Sequence, residues 1–138
     1  PTAVQCAVNP LNSVGSIAYV TESFDCRSVL DACRANGVPA LAIRAVQAGA
    51  LTAKMDRELP AGDADQLDFD RAQGVRQLAA DWHQTPARLA HRYALSIPGL
   101  GSVILGVKNR EELRECLQAE RDPRLTPAEI ALVEAACR

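Results

Sequence analysis

Apolar positions follow two patterns along the chain: short continuous runs and longer runs with helical spacing. The continuous runs are rich in Val, Leu, Ile and Ala, as is typical of strands buried on both faces, and they occupy residues 4–8, 38–46 and 102–107. Helical spacing predicts helices over about 24–36 and 68–82, and after Thr85, Asn109 and Thr126. A loop rich in Gly, Asp and Pro, over about 47–67, separates the second strand from the second helix.

Residues that stabilise helix ends stand at these boundaries. Gly37 is placed to end the first helix as a left-handed C-terminal residue. The predicted N-caps are Thr85, Asn109 and Thr126. Glu112 and Glu129 each follow an N-cap by three residues, which is the spacing of a capping box.

Strands that alternate with helices predict parallel strands joined by right-handed crossovers. Three such strands are too few for a comfortable independent sheet and would leave two open edges. We therefore expect this α/β chain, residues 1–138, to be a single segment of a larger parallel sheet or barrel. The chain starts at Pro1 and enters an apolar run within three residues, which agrees with a fragment of a longer protein.

Composition narrows the function classes. With 138 residues, 48% hydrophobic and 23% charged, the chain reads as one globular domain. A net charge of -2 and 4% aromatic residues give no case for nucleic acid or an acidic membrane surface as a partner. The five cysteines show no CxxC spacing or zinc-ligand set, and no long apolar run is present, so a reduced, cytoplasmic location is expected.

The end of the third strand carries candidate phosphate ligands. Gly106 permits close backbone approach, Lys108 supplies a positive charge, and a helix begins at Asn109. Because free N–H groups at a helix N-terminus favour anions, this arrangement suits a phosphate group. A capped helix that follows a strand and carries a solvated lysine explains the same residues.

Two further candidates lie at the other strands. Arg44, near the end of the second strand, needs an anionic ligand or a carboxylate partner, and Lys54 follows in the loop. Gln5 interrupts the first apolar strand, where its amide needs a hydrogen-bond partner, either an amide-bearing ligand or a protein carbonyl.

Taken together, these segments resemble the C-terminal part of the aldo-keto reductases. The family is a (β/α)8 TIM barrel that reduces aldehydes and ketones with a nicotinamide dinucleotide, most often NADPH. The resemblance implies a partial (β/α)8 TIM barrel, with three parallel strands alternating with helices as the sixth to eighth strands. It rests on "VQCAVNPLN" (4–12), "GVPALAIRAVQAGALTAK" (37–54), "TPARLAHRYALSIPGLGSVILGVKNREELRECLQA" (85–119) and "LTPAEIALVEA" (125–135).

The resemblance implies contacts with the nicotinamide and the pyrophosphate. Gln5 matches the glutamine that holds the nicotinamide carboxamide. Arg44, Ala45 and Val46 match the turn that lies along the pyrophosphate. Ile43 stands where most members have an aromatic ring stacked on the nicotinamide, so an aliphatic platform is expected.

Other matched positions lie around the phosphates. Gly49 and Lys54 match a segment that closes over them, and Gly106 and Lys108 match the loop around the 2′-phosphate of the adenosine ribose.

The adenosine end departs most from the family pattern. Glu112, Glu115 and Cys116 fall where the family has Gln or Arg, then Glu, then Asn. A carboxylate at position 112 repels a 2′-phosphate but suits a free 2′-hydroxyl, whereas Lys108 favours the phosphate. NADP is the expected cofactor from the habit of the family, and NAD stays open.

The catalytic Asp, Tyr, Lys and His of the family lie on its first four strands, which this chain lacks. Tyr19 and Tyr93 do not have the required neighbours, and Tyr93 is expected in the core. His83 and His91 are interpreted as helical and structural or solvated. The fragment alone is therefore expected to be inactive.

The resemblance thus implies the cofactor-binding part of an NAD(P)H-dependent oxidoreductase with a small carbonyl substrate. A missing N-terminal half, or a second copy of the chain, would complete the barrel. One alternative is a non-catalytic interaction or self-assembling module derived from the barrel. Another is a doubly wound α/β domain that binds a nucleotide without redox chemistry, which predicts a flat sheet.

Overall fold

A three-stranded parallel sheet with helices in its crossovers organises the chain. A computed structural model describes residues 1–15 and 25–138. The strands are β1 (Val4–Ala7), β2 (Ala40–Ile43) and β3 (Leu100–Val103). The helices are α1 (Cys26–Ala35), α2 (Ala64–Arg71), α3 (Gln73–Asp81), α4 (Pro86–Ser96), α5 (Arg110–Arg121) and α6 (Pro127–Ala135), and a 3-10 turn spans Gln47–Gly49.

The strands lie in the order β1-β2-β3, and both pairings are parallel. Gln5 lies opposite Leu41, and Leu41 lies opposite Ser102, so one row crosses the sheet. The expected α/β arrangement of three parallel strands that alternate with helices is confirmed.

The two faces of the sheet differ in burial. Cys6 and Ala42 face the helices and are buried in the main core. On the other face, Gln5 and Ser102 are exposed and Leu41 is half-buried. Since the side chains of a strand alternate between faces, this second face is the one that a closed barrel would turn inward.

The strands are shorter than the apolar runs predict. The second strand ends at Ile43 because Arg44 takes a left-handed conformation, with φ at 58°. The third lies over Leu100–Val103 rather than 102–107. The prediction that this last run is a buried strand was wrong, since Ile104, Leu105 and Val107 are each about 40% exposed. Within the described residues no strand pairs with the outer edge of β3.

The helix predicted over 68–82 is two helices that meet at Ala72. Asp68 of α2 bonds to the Gln47 side chain, whereas Gly74 of α3 packs on the C-terminal segment. A Cβ atom at Gly74 would come within 2.2 Å of the carbonyl oxygen of Ala136, so only glycine allows this contact. Each half of the predicted helix is thus held by its own contact.

The predicted helix ends are confirmed. Gly37 has φ at 63°, and the side chains of Thr85, Asn109 and Thr126 each accept a bond from a backbone N–H. Thr126 and Glu129 form a complete capping box. The Glu112 carboxylate instead accepts from the N–H of Lys108, at 2.8 Å. The predicted first-helix start at residue 24, like Tyr19, lies outside the described residues.

Candidate functional site

A cleft of about 520 Å³ opens between the loop that follows β2 and the start of α5. One wall is the loop segment 46–57, which leaves the sheet at the 3-10 turn. The opposite wall is the segment 106–116, which leaves β3 and enters α5. The N-terminal half of α4 closes the floor through Thr85, Ala87 and His91.

Most of the residues predicted to contact a cofactor line this cleft. Eight of the eleven do so, from segments far apart in the sequence: Val46, Gly49, Lys54, Gly106, Lys108, Glu112, Glu115 and Cys116. Gln5, Arg44 and Ala45 are not among the lining residues. The cofactor roles of all eleven stay predictions.

Ion pairs bridge the two walls. The Lys108 ammonium lies 2.5 Å from Asp56 Oδ2 and 3.7 Å from Glu112 Oε1. The hydrogen bond that Lys108 donates to Asp56 raises the pKa of Lys108 and lowers the pKa of Asp56. Arg57 also contacts Asp56, at 3.1 Å. Asp56 therefore joins a cation from each wall.

Side chains of α5 cap the backbone where the helix begins beside the cleft. Asn109 Oδ1 accepts from the N–H of Glu112, at 2.9 Å, and Glu112 accepts from the N–H of Lys108, so both amides are already satisfied within the protein. A Cβ atom at Gly106 would meet no atom within 4 Å, so the space beside it is open. On the opposite wall Gly49 has φ at 97°, a conformation that other residues rarely adopt.

His91 and Cys116 meet at the floor of the cleft. The Nδ1 atom of His91 lies 2.8 Å from the Ala87 carbonyl and therefore carries the proton. Its Nε2 atom, 3.5 Å from the sulfur of Cys116, can then only accept from the thiol. Burial lowers the pKa of His91 and raises that of Cys116, so both stay neutral. This pair is a structural contact and not an activated nucleophile.

Arg44 lies behind the cleft and has a carboxylate partner. Its guanidinium contacts Asp65 at 3.3 Å and donates to the Gln47 side chain at 3.0 Å. Asp65 also contacts Arg57, at 3.1 Å. Arg44 thus has the carboxylate partner that one of its two interpretations predicted. The same carboxylate, Asp65, also binds Arg57, which lines the cleft.

A buried polar network, missed in the sequence, supports this wall. It consists of Asn9, Ser13, Arg44, Gln47 and Asp68. Gln47 is fully buried, accepts from Arg44 and Asn9, and donates to Ser13 and to Asp68 at 2.8 Å. Asn9, Ser13 and Arg44 lie in loops, Gln47 begins the 3-10 turn and Asp68 lies within α2. No periodicity marks these polar residues as buried, and only Asn9, beside Pro10, carried a turn signal.

The remaining candidates are structural. Tyr93 is buried, as predicted, and donates to Glu134 at 2.8 Å. His91 is helical as expected, but His83 is exposed and lies just beyond α3, with φ at 53°. All five cysteines are buried and free. Among the described residues there is no side-chain cluster suited to a metal, and none of the described helices is long and apolar enough to span a bilayer.

Comparison with known proteins identifies a family and two structures that this chain resembles. The model of the aldo/keto reductase family matches residues 1–138. The apo form of aldo-keto reductase AKR11C1 from Bacillus halodurans superposes with a TM-score of 0.71 at 18% identity, covering 99% of this chain. Its holo form gives 0.68 at 16% identity, also over 99%.

The chain spans less than half of these structures, 44% and 43% of their lengths. No curated protein matches it. The family match covers every residue of the sequence, and the similarity in structure shows the same partial barrel. The chain therefore belongs to the aldo/keto reductase family.

Proposed function

We propose that this chain is the cofactor-binding part of an NAD(P)H-dependent aldo-keto reductase that reduces aldehydes or ketones. Its strands would be the sixth to eighth of the barrel. One observation carries the proposal: eight residues expected to contact a dinucleotide line a single cleft, and they come from the loop after β2 and from the segment that leads from β3 into α5. Separate segments converge in this way where parallel strands end.

The groups in the cleft suit such a ligand. Its volume, about 520 Å³, lies within the range of small-molecule sites. Lys54 and Lys108 supply positive charge for phosphates, and the space beside Gly106 is open. The resemblance favours NADP, with NAD as the alternative.

The residues of this chain would bind and orient, whereas the dinucleotide supplies hydride when bound. Gln5, exposed on the inward face of the sheet, is free to hold the carboxamide of the nicotinamide. The proton donor lies on the part of the barrel outside this chain. Tyr93 does not replace it, because it is buried and its hydroxyl is bonded to Glu134. The chain alone is therefore inactive, and the missing half or a second copy completes the barrel.

A cytoplasmic location belongs to the same proposal, since five free thiols suit a reducing compartment.

Gly106→Val tests the proposal with little risk to the fold. The new Cβ meets no atom within 4 Å, so stability should stay unchanged while the branched side chain fills the space beside the phosphates. Titration of NADPH and of NADH by fluorescence should give saturable binding to the native chain. The variant should bind at least about tenfold more weakly.

Ala61→Val is the matched control, because it adds a similar side chain to an exposed loop position outside the cleft. Unchanged binding by Gly106→Val would contradict the site. A folded native chain that binds neither dinucleotide would favour the second candidate, a non-catalytic self-assembling module. The exposed run Ile104, Leu105 and Val107 favours that candidate, and light scattering would detect the assembly.

A further inference from the structure

Most cations of the cleft already have carboxylate partners. Lys108 contacts Asp56 at 2.5 Å and Glu112 at 3.7 Å. Arg57 contacts Asp56 and Asp65, each at 3.1 Å. Within the part of the chain that the structure describes, Lys54 alone among these cations forms no ion pair. A strongly anionic ligand would have to break existing pairs.

The residues that line the cleft carry equal numbers of positive and negative charges. The lining holds three cations, Lys54, Arg57 and Lys108, and three carboxylates, Asp56, Glu112 and Glu115, so that the sum is zero. The Glu112 carboxylate is further fixed by the N–H of Lys108, at 2.8 Å, and therefore stays beside the ammonium group.

The two forms of the dinucleotide differ in what they need from such a site. The pyrophosphate common to both carries about two negative charges, and a 2′-phosphate monoester adds about 1.5 to 2 more at neutral pH. That monoester needs cations that are not yet neutralised. A free 2′-hydroxyl is neutral and can donate to a carboxylate, which a phosphate dianion cannot do.

We propose that this cleft selects NAD over NADP, and that Asp56 and Glu112 set the selectivity by neutralising Lys108. The inference rests on the proposed dinucleotide site. It replaces the expectation of NADP, which came from the family resemblance, with a preference for NAD that follows from the charged residues of the cleft. Glu112 acts directly, as an acceptor and a source of repulsion. Asp56 acts through Lys108, because it occupies the ammonium group that a phosphate would use.

Equilibrium binding of NADH and NADPH to the purified chain, followed by calorimetry, tests the assignment. The native chain should bind NADH about tenfold more tightly, equivalent to about 1.4 kcal/mol. The double variant Asp56→Asn/Glu112→Gln should bind NADPH at least about tenfold more tightly than the native chain does, with NADH changed by less than about threefold. Adding Lys108→Ala to the double variant should remove the gain.

Glu111→Gln is the matched control. It makes the same change in charge one residue earlier on α5, but Glu111 pairs with Arg114 at 3.0 Å, is 82% exposed and does not line the cleft. It should leave both affinities within about twofold. The single variant Glu112→Gln completes the comparison, and an equal effect of Glu111→Gln and Glu112→Gln on NADPH binding would show a general charge effect and overturn the assignment.

The remaining outcomes separate this inference from the proposed function. Tighter binding of NADPH by the native chain overturns the selectivity and leaves the dinucleotide site in place. Binding of neither form by the folded chain overturns both.

Discussion

Replacing Gln47 by glutamate tests whether the buried polar network forms behind the cleft. The substitution keeps the shape of the side chain and exchanges one amide nitrogen for oxygen. In the native chain that nitrogen donates to Asp68 Oδ2 at 2.8 Å and to Ser13 at 3.2 Å. The variant places a second carboxyl against Asp68, in a position with no exposure to solvent.

The cost follows from the chemistry of two adjacent carboxyls. Two buried carboxylates this close repel each other, and Arg44, at 3.0 Å from the oxygen at position 47, and Arg71, at 3.1 Å from Asp68, offset only part of that repulsion, so we expect the pair to hold a shared proton to a raised pH. At pH 7, protonating a carboxyl with an ordinary pKa of about 4.3 costs about 3 to 4 kcal/mol, which is the ceiling on the penalty. Once protonated, the new group donates to Asp68 and restores the lost bond.

The uptake of this proton also determines how the stability of the variant changes with pH. Above about pH 4.3, and up to the raised pKa of the pair, the folded variant holds more protons than its unfolded chain, so its stability falls by up to about 1.4 kcal/mol per pH unit as pH rises. Urea unfolding at about pH 5 and about pH 7.5, followed by circular dichroism, should therefore show a deficit relative to the native chain that grows with pH.

Gln77→Glu provides the control. Gln77 donates to Asp81 at 3.0 Å on the exposed side of α3, so the same change there occurs in solvent. Its penalty should stay below about 0.5 kcal/mol at either pH. If the two variants show the same pH dependence, Gln47 is not buried against Asp68 and the network is not formed as described.

Two further predictions concern the core. Tyr93→Phe removes the hydrogen bond to Glu134 and leaves that half-buried carboxylate with one partner fewer. The free energy of unfolding, measured by urea titration, should fall by about 1 to 2 kcal/mol. An unchanged unfolding midpoint would contradict the bond. Burial raises the pKa of Cys6 to about 11 and that of Cys137 to about 12. Dithiodipyridine should therefore react slowly with these two thiols near about pH 8 and rapidly in urea, and fast labelling of either in the native chain would be the contrary result.

The fold follows from local signals to a large extent. The caps at Thr85, Asn109 and Thr126 were read correctly because one side chain and one backbone amide decide them. The strands were placed by apolar runs, but those runs continue past the strand ends. The segment 104–107 shows the reason, since its apolar residues stay partly exposed and form no strand. Apolar residues favour burial, but a β-strand also needs a neighbouring strand to hydrogen-bond with.

The candidate site was foreseen in part. The resemblance assigned Lys54, Lys108 and Glu112 to one dinucleotide, and the structure places them in one cleft, while their roles toward a cofactor stay predictions. It did not reveal Asp56, whose importance depends on reaching across the cleft to Lys108, a contact over 52 positions in the sequence. Such a pairing has no local pattern, because charged loop residues look alike until the backbone brings them together.

The outer strands of the sheet have a consequence for the behaviour of the chain in solution. Val4–Ala7 and Leu100–Val103 contain no charged residue, and each offers one row of backbone groups that no described strand pairs. Unpaired, uncharged edges are templates for intermolecular β-pairing. We expect the isolated chain to aggregate by pairing the edge strand of one copy side by side with that of another as its concentration rises. A lysine in place of Ser102, on the exposed face of β3, should raise its solubility limit while leaving the helix-facing core intact.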